Sequence, residues 1–178
     1  LGHRRAAVLS HEGIVRSMSV PVFAGYLGLF GWIFLAEAGV PLLVPTELLL
    51  VAGGVAAAHG LVSIAAVGLT ALCADLLGTV TLLVLVRTAG RRPPTAGRIE
   101  RAVAWATGRA HAVQANNPVR IAVARCIPLV RVPAAVAAAL AQVTVVQYGL
   151  AALAGGLLWV GFFLGGAYLL TSRTLGLA

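Results

Sequence analysis

Long apolar runs, interrupted in places by proline, glycine or a single charge, dominate the hydrophobicity pattern of this chain. Residues 61–87 and 142–172 form the two longest runs, and residues 20–36 form a shorter one. Since about 20 apolar residues cross the hydrocarbon core of a bilayer as a helix, each run is long enough to predict a transmembrane helix. We expect one membrane domain over residues 20–178, preceded by a polar, basic cytoplasmic leader at residues 1–19.

Two further apolar runs, residues 37–60 and 119–141, are broken by proline. Proline removes a backbone donor and ends or kinks a helix. Irregular backbone at membrane depth is tolerated only where protein or a water-filled cavity surrounds it. The pattern therefore predicts two re-entrant helical hairpins. We expect the breaks at Pro41 and Pro45 in the first hairpin, and at Pro128 and Pro133 in the second.

A strongly basic segment, residues 88–118, separates the two halves of the chain. We expect it to contain an amphipathic helix that lies on the cytoplasmic face, as the positive-inside rule indicates for arginine-rich loops. The fold class that results is an all-α polytopic membrane protein: an inverted repeat of a re-entrant hairpin plus a transmembrane helix, with the basic cytoplasmic helix between the halves. Inverted repeats with discontinuous helices are typical of secondary transporters.

The composition agrees with a chain whose main solvent is lipid. Sixty per cent of the residues are hydrophobic, 10% are charged, and the mean hydropathy is +0.98. A soluble domain is usually about 25% charged, so a water-soluble enzyme and a disordered protein are both excluded. The net charge of +8 then favours contact with anionic lipid head groups over nucleic acid.

Sequence motifs for catalysis or metal binding are absent. The chain has no HExxH sequence, no paired His/Cys cluster, no Ser-His-Asp set and no phosphate-binding glycine loop. Cys73 and Cys126 lie in apolar runs without paired spacing, which predicts buried, inert thiols. We therefore expect neither an enzyme nor a bound metal or cofactor.

Five charged residues lie inside or at the edge of apolar segments, where each costs about 2.5–3.5 kcal/mol at the bilayer centre. We expect them to face one another where the two hairpins meet. Buried carboxylates can exchange protons, and an arginine can hold a phosphate at two points. The hypothesis is a proton-coupled transporter of an anionic lipid, and a purely structural salt-bridge network is the alternative. The acids are Glu37, Glu47 and Asp75, and the arginines are Arg125 and Arg131.

Two other patterns have simpler interpretations. Trp105, Tyr148 and Trp159 are expected to anchor helices at the membrane interface rather than to stack on a ligand. Gly161 and Gly165 form a GxxxG pattern, which predicts a helix-packing face and leaves assembly into a homo-oligomer open.

The order of these residues resembles the DedA family, the bacterial branch of the VTT-domain (SNARE-associated) membrane proteins. The likeness runs from Trp32 to Tyr168. Its motifs here are an acid followed by prolines and a second acid, an Asp with a following glycine, an Arg-x-x-Pro-x-x-Arg segment, and a spaced set of aromatics and glycines. The residues are Glu37, Pro41, Pro45, Glu47, Asp75, Gly78, Arg125, Pro128, Arg131, Tyr148, Gly155, Trp159, Gly165 and Tyr168.

This sequence departs from the family pattern at several positions. The pair Ala138-Ala139 stands in place of Ala-Gly, Ala152 in place of Asn, and Thr79 in place of an aromatic residue. These departures bear on the identity of the substrate more than on the fold.

The resemblance implies transport of a lipid across the bacterial inner (plasma) membrane by a multi-pass protein. The lipids proposed for the family are undecaprenyl phosphate and phospholipids such as phosphatidylethanolamine, with dependence on the proton-motive force. It also implies essential roles for the residues matching Glu37, Glu47, Arg125 and Arg131. The expected partners are thus a phosphate-bearing lipid and protons. An ion- or proton-coupled transporter of a small solute and a non-transporting membrane scaffold remain alternatives.

Overall fold

The computed structural model describes residues 23–89, 117–127 and 130–176. Every regular element in these three ranges is a helix, so the prediction of an all-α protein is confirmed for the described part of the chain. In chain order, the helices are α1 (Phe23–Glu37), α2 (Thr46–Ala58), α3 (Ile64–Ala89), α4 (Pro118–Arg125), α5 (Arg131–Leu140) and α6 (Val145–Thr174).

Helices α3 and α6 are long and apolar enough to cross a membrane, and they match the two longest predicted spans. At 1.5 Å per residue they measure about 39 Å and about 45 Å, against a hydrocarbon core of about 30 Å. Only 39% of the most apolar stretch of each helix is buried. Most of each surface therefore points outward, unlike the core helix of a soluble protein.

The first broken segment differs from the prediction. Residues 37–60 contain one helix, α2, rather than a helical hairpin. The break is formed by residues 38–45, which connect α1 to α2 and include Pro41, Pro45 and Gly39 at a φ of +92°. The hairpin therefore consists of α1 and α2, and the expected independent span at residues 20–36 provides its first arm.

Two adjacent glycines, Gly53 and Gly54, lie inside α2 without breaking it. A Cβ on Gly54 would be 2.9 Å from Ala167 Cβ and 3.1 Å from Tyr168 N on α6. The close contact between α2 and α6 offsets the cost of glycine in a helix, about 1 kcal/mol.

The second broken segment has the predicted helix–break–helix form. α4 begins at Pro118 after Asn117, whose side chain accepts a hydrogen bond from Val119 N at 2.9 Å. Helix α4 ends at Arg125, and α5 begins at Arg131. Pro133 is not part of the break: it lies in the first turn of α5, where backbone N–H groups have no partner within the helix and proline is tolerated.

Several predictions fall on other parts of the chain. The residues concerned lie outside those the structure describes: Pro128, Trp105, the leader at residues 1–19 and all but the ends of the basic segment at residues 88–118. Cys73 is exposed on α3 and Cys126 is half-buried, so the expectation of two buried thiols is wrong.

A π-helical turn, Gly161–Gly165, interrupts α6 at the predicted GxxxG pattern. A Cβ on either glycine would meet nothing within 4 Å. These two glycines therefore form no packing face within the described chain. The contact instead involves Leu164, which lies inside the π turn and is buried: its side chain lies against Gly53 of α2 and its backbone oxygen against Gly54.

The two halves of the chain meet along α3 and α6. Helix α6 packs on α4 and α3 in its first half and on α2 in its second half, while α5 packs on α3. Two apolar clusters result, one around Tyr148 and one around Trp159. On α3, the first cluster contains Leu82 and Leu83, the second contains Ala71 and Ala74, and Asp75 lies between them.

Candidate functional site

Two acids and two arginines come together between these apolar clusters. Glu37 is the last residue of α1, Asp75 lies within α3, Arg125 is the last residue of α4 and Arg131 is the first residue of α5. Their exposed fractions are 4%, 1%, 0% and 2%. Four of the five predicted charged residues are thus brought to one buried place, called here the four-charge cluster.

Each acid in the cluster contacts both arginines. Arg125 Nη2 lies 2.7 Å from Asp75 Oδ1 and 3.3 Å from Glu37 Oε2. Arg131 Nη2 lies 3.0 Å from Glu37 Oε1 and also donates to Asp75 Oδ1. When all four groups are ionised, the charges cancel. This pairing offsets the large cost of removing each charge from water.

Two hydroxyl groups complete the surroundings of Arg125. Its Nη1 donates to Thr79 Oγ1 at 2.7 Å and to Tyr148 Oη at 3.1 Å, and these two oxygens lie 3.0 Å apart. The expectation that Tyr148 anchors the membrane interface is wrong, because the side chain is fully buried. The sequence did contain a signal for Thr79. It follows Asp75 by one helical turn, so the two side chains lie on the same face of α3.

Arg131 has a different neighbour, the indole of Trp159. The guanidinium carbon lies 3.8 Å from the ring centroid, which is cation–π geometry. Trp159 is only 1% exposed, so its predicted role as an interface anchor is also wrong. Trp159 follows Tyr148 by eleven residues, about three turns of helix. The two side chains therefore share one face of α6.

The cluster has more donors than acceptors. Four buried nitrogens find no hydrogen-bond acceptor in the part of the chain that the structure describes: Arg125 Nε, Arg131 Nε, Arg131 Nη1 and Trp159 Nε1. Buried donors are usually paired, because an unsatisfied donor costs about 1–3 kcal/mol. The imbalance is the arrangement expected where an acceptor-rich group binds.

Glycines allow the helices to approach one another at the cluster. One of them, Gly156, was not among the residues predicted from the sequence. A Cβ on Gly78 of α3 would lie 2.8 Å from Glu37 Cβ. On α6, a Cβ on Gly155 would lie 2.9 Å from Arg125 Cβ, and one on Gly156 would lie 2.8 Å from Asp75 Oδ2. These close contacts keep the charged groups within bonding distance, in the way that small residues allow close helix packing.

Glu47 does not join the cluster, contrary to the prediction. It is half-buried in the first turn of α2 and forms no ion pair with a described residue. A negative charge in the first turn of a helix is stabilised by the helix dipole. This local effect accounts for Glu47 without a basic partner.

The cluster can perform two kinds of chemistry. Its carboxylates can bind protons, and its unpaired arginine and indole N–H groups can bind an anion. Comparison of the chain with family models, with curated proteins and with solved structures gives no match.

Proposed function

We propose that this chain is a multi-pass membrane protein that transports a phosphate-bearing lipid, with protons as the coupling ion. The observation that carries the proposal is the four-charge cluster, whose arginines retain buried N–H groups without an acceptor in the described residues. The DedA-like motifs described above support the choice of lipid. The two classes of substrate to test are a polyprenyl phosphate, such as undecaprenyl phosphate, and a phospholipid.

The outer surface of the helices supports a membrane location. Large apolar side chains are exposed along α3 and α6, and contiguous apolar surface of this kind is unfavourable in water. Two helices of sufficient length and apolar composition agree with this location. The exposed side chains include Leu69, Leu77 and Leu85 on α3 and Leu150, Leu157, Phe162 and Leu170 on α6.

Buried charges in such a protein call for a functional explanation. Ionisable groups within membrane segments are costly and are usually found in transport pathways. Replacing a buried ion pair by apolar residues is often neutral or stabilising, so stability alone does not account for four buried charges. A transport cycle does, because it needs groups that change partners.

Competition for the arginines provides the coupling. Carboxylates and phosphates are alternative acceptors for the same guanidinium N–H groups. When Glu37 or Asp75 binds a proton, the cluster gains one positive charge and an anionic head group can balance it. When the proton leaves, the carboxylate recovers its contacts with Arg125 and Arg131, and the head group is released. Proton binding and lipid binding are therefore linked by charge balance.

The broken helices supply a route for the change of access. α1 and α2 are joined by residues 38–45, and α4 and α5 by residues 126–130, and both breaks adjoin the cluster. In this proposal the two hairpins belong to inverted repeats and open alternately toward opposite faces of the membrane, as in other transporters with discontinuous helices.

The decisive experiment measures lipid translocation in reconstituted vesicles under an imposed pH gradient. Fluorescent phosphatidic acid, phosphatidylethanolamine and a polyprenyl phosphate serve as substrates. We expect Arg131→Ala to abolish translocation while the variant still inserts and folds. The matched control is Arg173→Ala, because Arg173 is exposed near the end of α6. Normal translocation by Arg131→Ala would leave the cluster as a structural network that holds the two halves together.

A further inference from the structure

The two arginines of the cluster are not equivalent. Both terminal nitrogens of Arg125 are engaged, Nη1 by two hydroxyl groups and Nη2 by two carboxylates, so only its Nε is unpaired among the described residues. Arg131 uses only Nη2, and both its Nε and its Nη1 are buried without an acceptor there. Most of the available donor capacity thus belongs to Arg131.

Trp159 adds a third unpaired donor beside Arg131. Its Nε1 is buried and has no acceptor among the residues described by the structure. The ring lies against the guanidinium group at 3.8 Å. Because the guanidinium carbon lies over the ring at this distance, the two groups are close enough for one tetrahedral anion to accept hydrogen bonds from both. Buried indole N–H groups normally find a partner, which makes the unpaired Nε1 informative.

We propose that Trp159 contacts the ligand directly, and that its indole N–H and the free N–H groups of Arg131 together bind the phosphate oxygens. This inference rests on the proposed function and deepens it, because it assigns the phosphate-recognition subsite to one arginine and one tryptophan. The phosphate of a lipid head group and free inorganic phosphate share the chemistry that this subsite recognises.

The binding test uses the full-length protein in detergent and two probes, dihexanoyl phosphatidic acid and inorganic phosphate. Trp159→Phe keeps an aromatic ring beneath Arg131 but removes the N–H. We expect it to raise the Kd for the bound probe about tenfold or more, the value of a hydrogen bond to a charged group. Arg131→Lys keeps the charge but loses the fork of donors, and we expect it to weaken binding similarly.

Trp32→Phe is the matched control. It also removes an indole hydrogen bond, from Trp32 Nε1 to Val44 O at 3.1 Å, but an exposed one that involves no residue of the cluster. We expect it to leave the Kd unchanged. Equal affinity in Trp159→Phe and the wild type would overturn the proposal, as would an equal loss in both tryptophan variants. Water alone would then satisfy the indole N–H.

A second measurement covers the case in which Trp159→Phe fails to fold. The chain has three tryptophans, so the double variant Trp32→Phe/Trp105→Phe leaves Trp159 as the sole tryptophan, whose emission is excited at a wavelength that tyrosine does not absorb. We expect its emission to shift when a probe binds. Binding detected by calorimetry without such a shift would overturn the proposal, and so would failure of the wild type to bind either probe.

The two probes identify the source of the phosphate. Tighter binding of dihexanoyl phosphatidic acid supports a lipid head group, and equal binding of inorganic phosphate supports a general phosphate subsite. Transport is measured separately. A protein whose probe binding depends on Trp159 but which translocates no lipid would refute the proposed function and keep this inference. Translocation that is independent of Trp159 would support the proposed function and refute this inference.

Discussion

Gly156 of α6 lies directly against the carboxylate of Asp75 on α3, so close that a Cβ would be 2.8 Å from Oδ2. No side chain fits between the two residues. The position of Asp75, which contacts both arginines, therefore depends on the absence of a methyl group on the neighbouring helix.

Gly156→Ala tests this dependence. We expect the added methyl group to displace Asp75 or separate the helices, at a cost of about 1–3 kcal/mol as for other overpacked sites. Thermal unfolding in detergent and lipid translocation measure the effect. Gly149→Ala is the control on the same helix, because a Cβ there meets nothing within 4 Å. It should stabilise α6 by up to about 1 kcal/mol. Equal effects of the two substitutions would contradict the contact.

Asp75→Asn tests the charge balance. The substitution leaves one positive charge in the cluster without compensation, and breaking a buried pair in this way costs about 3–5 kcal/mol. We expect a large fall in the melting temperature, partly restored in the double variant Asp75→Asn/Arg125→Gln. Glu47→Gln is the control, since Glu47 has no ion pair in the described chain, and it should change stability little. A stable Asp75→Asn variant would mean that the pairs are not formed.

Tyr148→Phe tests the hydroxyl contacts of Arg125. The variant removes an acceptor from a buried guanidinium, so we expect a loss of about 1.5–3 kcal/mol. Tyr26→Phe provides the comparison, because Tyr26 Oη accepts a hydrogen bond from the uncharged Ser63 N at 3.3 Å. Its loss should be smaller, about 0.5–1.5 kcal/mol. The opposite order in chemical unfolding would show that Tyr148 does not support Arg125.

Labelling of Cys73 tests whether this face of α3 lies in the membrane. Cys73 is exposed on α3, two residues before Asp75, and in the proposed membrane protein its thiol faces lipid. In a Cys126→Ser background, we expect Cys73 to stay unmodified in vesicles with both a lipophilic maleimide and a charged thiol reagent, because both react with the thiolate, which forms in water. Thr174→Cys, at the end of α6, should react with both reagents. Rapid labelling of Cys73 by the charged reagent would place this face of α3 in water.

The energetic cost of isolated buried charges made much of the site predictable. Because such groups must pair, the sequence alone indicated that Glu37, Asp75, Arg125 and Arg131 would meet, and the structure brings these four together. The same rule failed for Glu47, since a helix N-terminus supplies local compensation. A charged residue within an apolar run therefore does not have to belong to the buried four-charge cluster.

The rest of the site depended on which face of each helix turns inward. Tyr148 and Trp159 have apolar bodies and polar tips, so the sequence could assign them equally to an interface or to an interior. Their three-turn spacing on α6 becomes informative only once the direction of the cluster is known. The first hairpin was misplaced although its break includes both predicted prolines, Pro41 and Pro45, because the apolar run at residues 20–36 forms one of its arms rather than a separate span.

Three members of the cluster lie at helix ends, and only Asp75 lies within a continuous helix. In the transport cycle proposed above, a bend between α1 and α2 or between α4 and α5 would move Glu37 or the arginines, while Asp75 keeps its place along α3. Every ion pair of the cluster joins an arginine to an acid, so the α4–α5 hairpin moves away only after both arginines release Asp75, and the α1–α2 hairpin only after Glu37 releases both arginines. If the proposed cycle holds, the strength of these ion pairs sets the barrier to the conformational change, and a variant that weakens them without removing a charge should make that change faster and less dependent on protons.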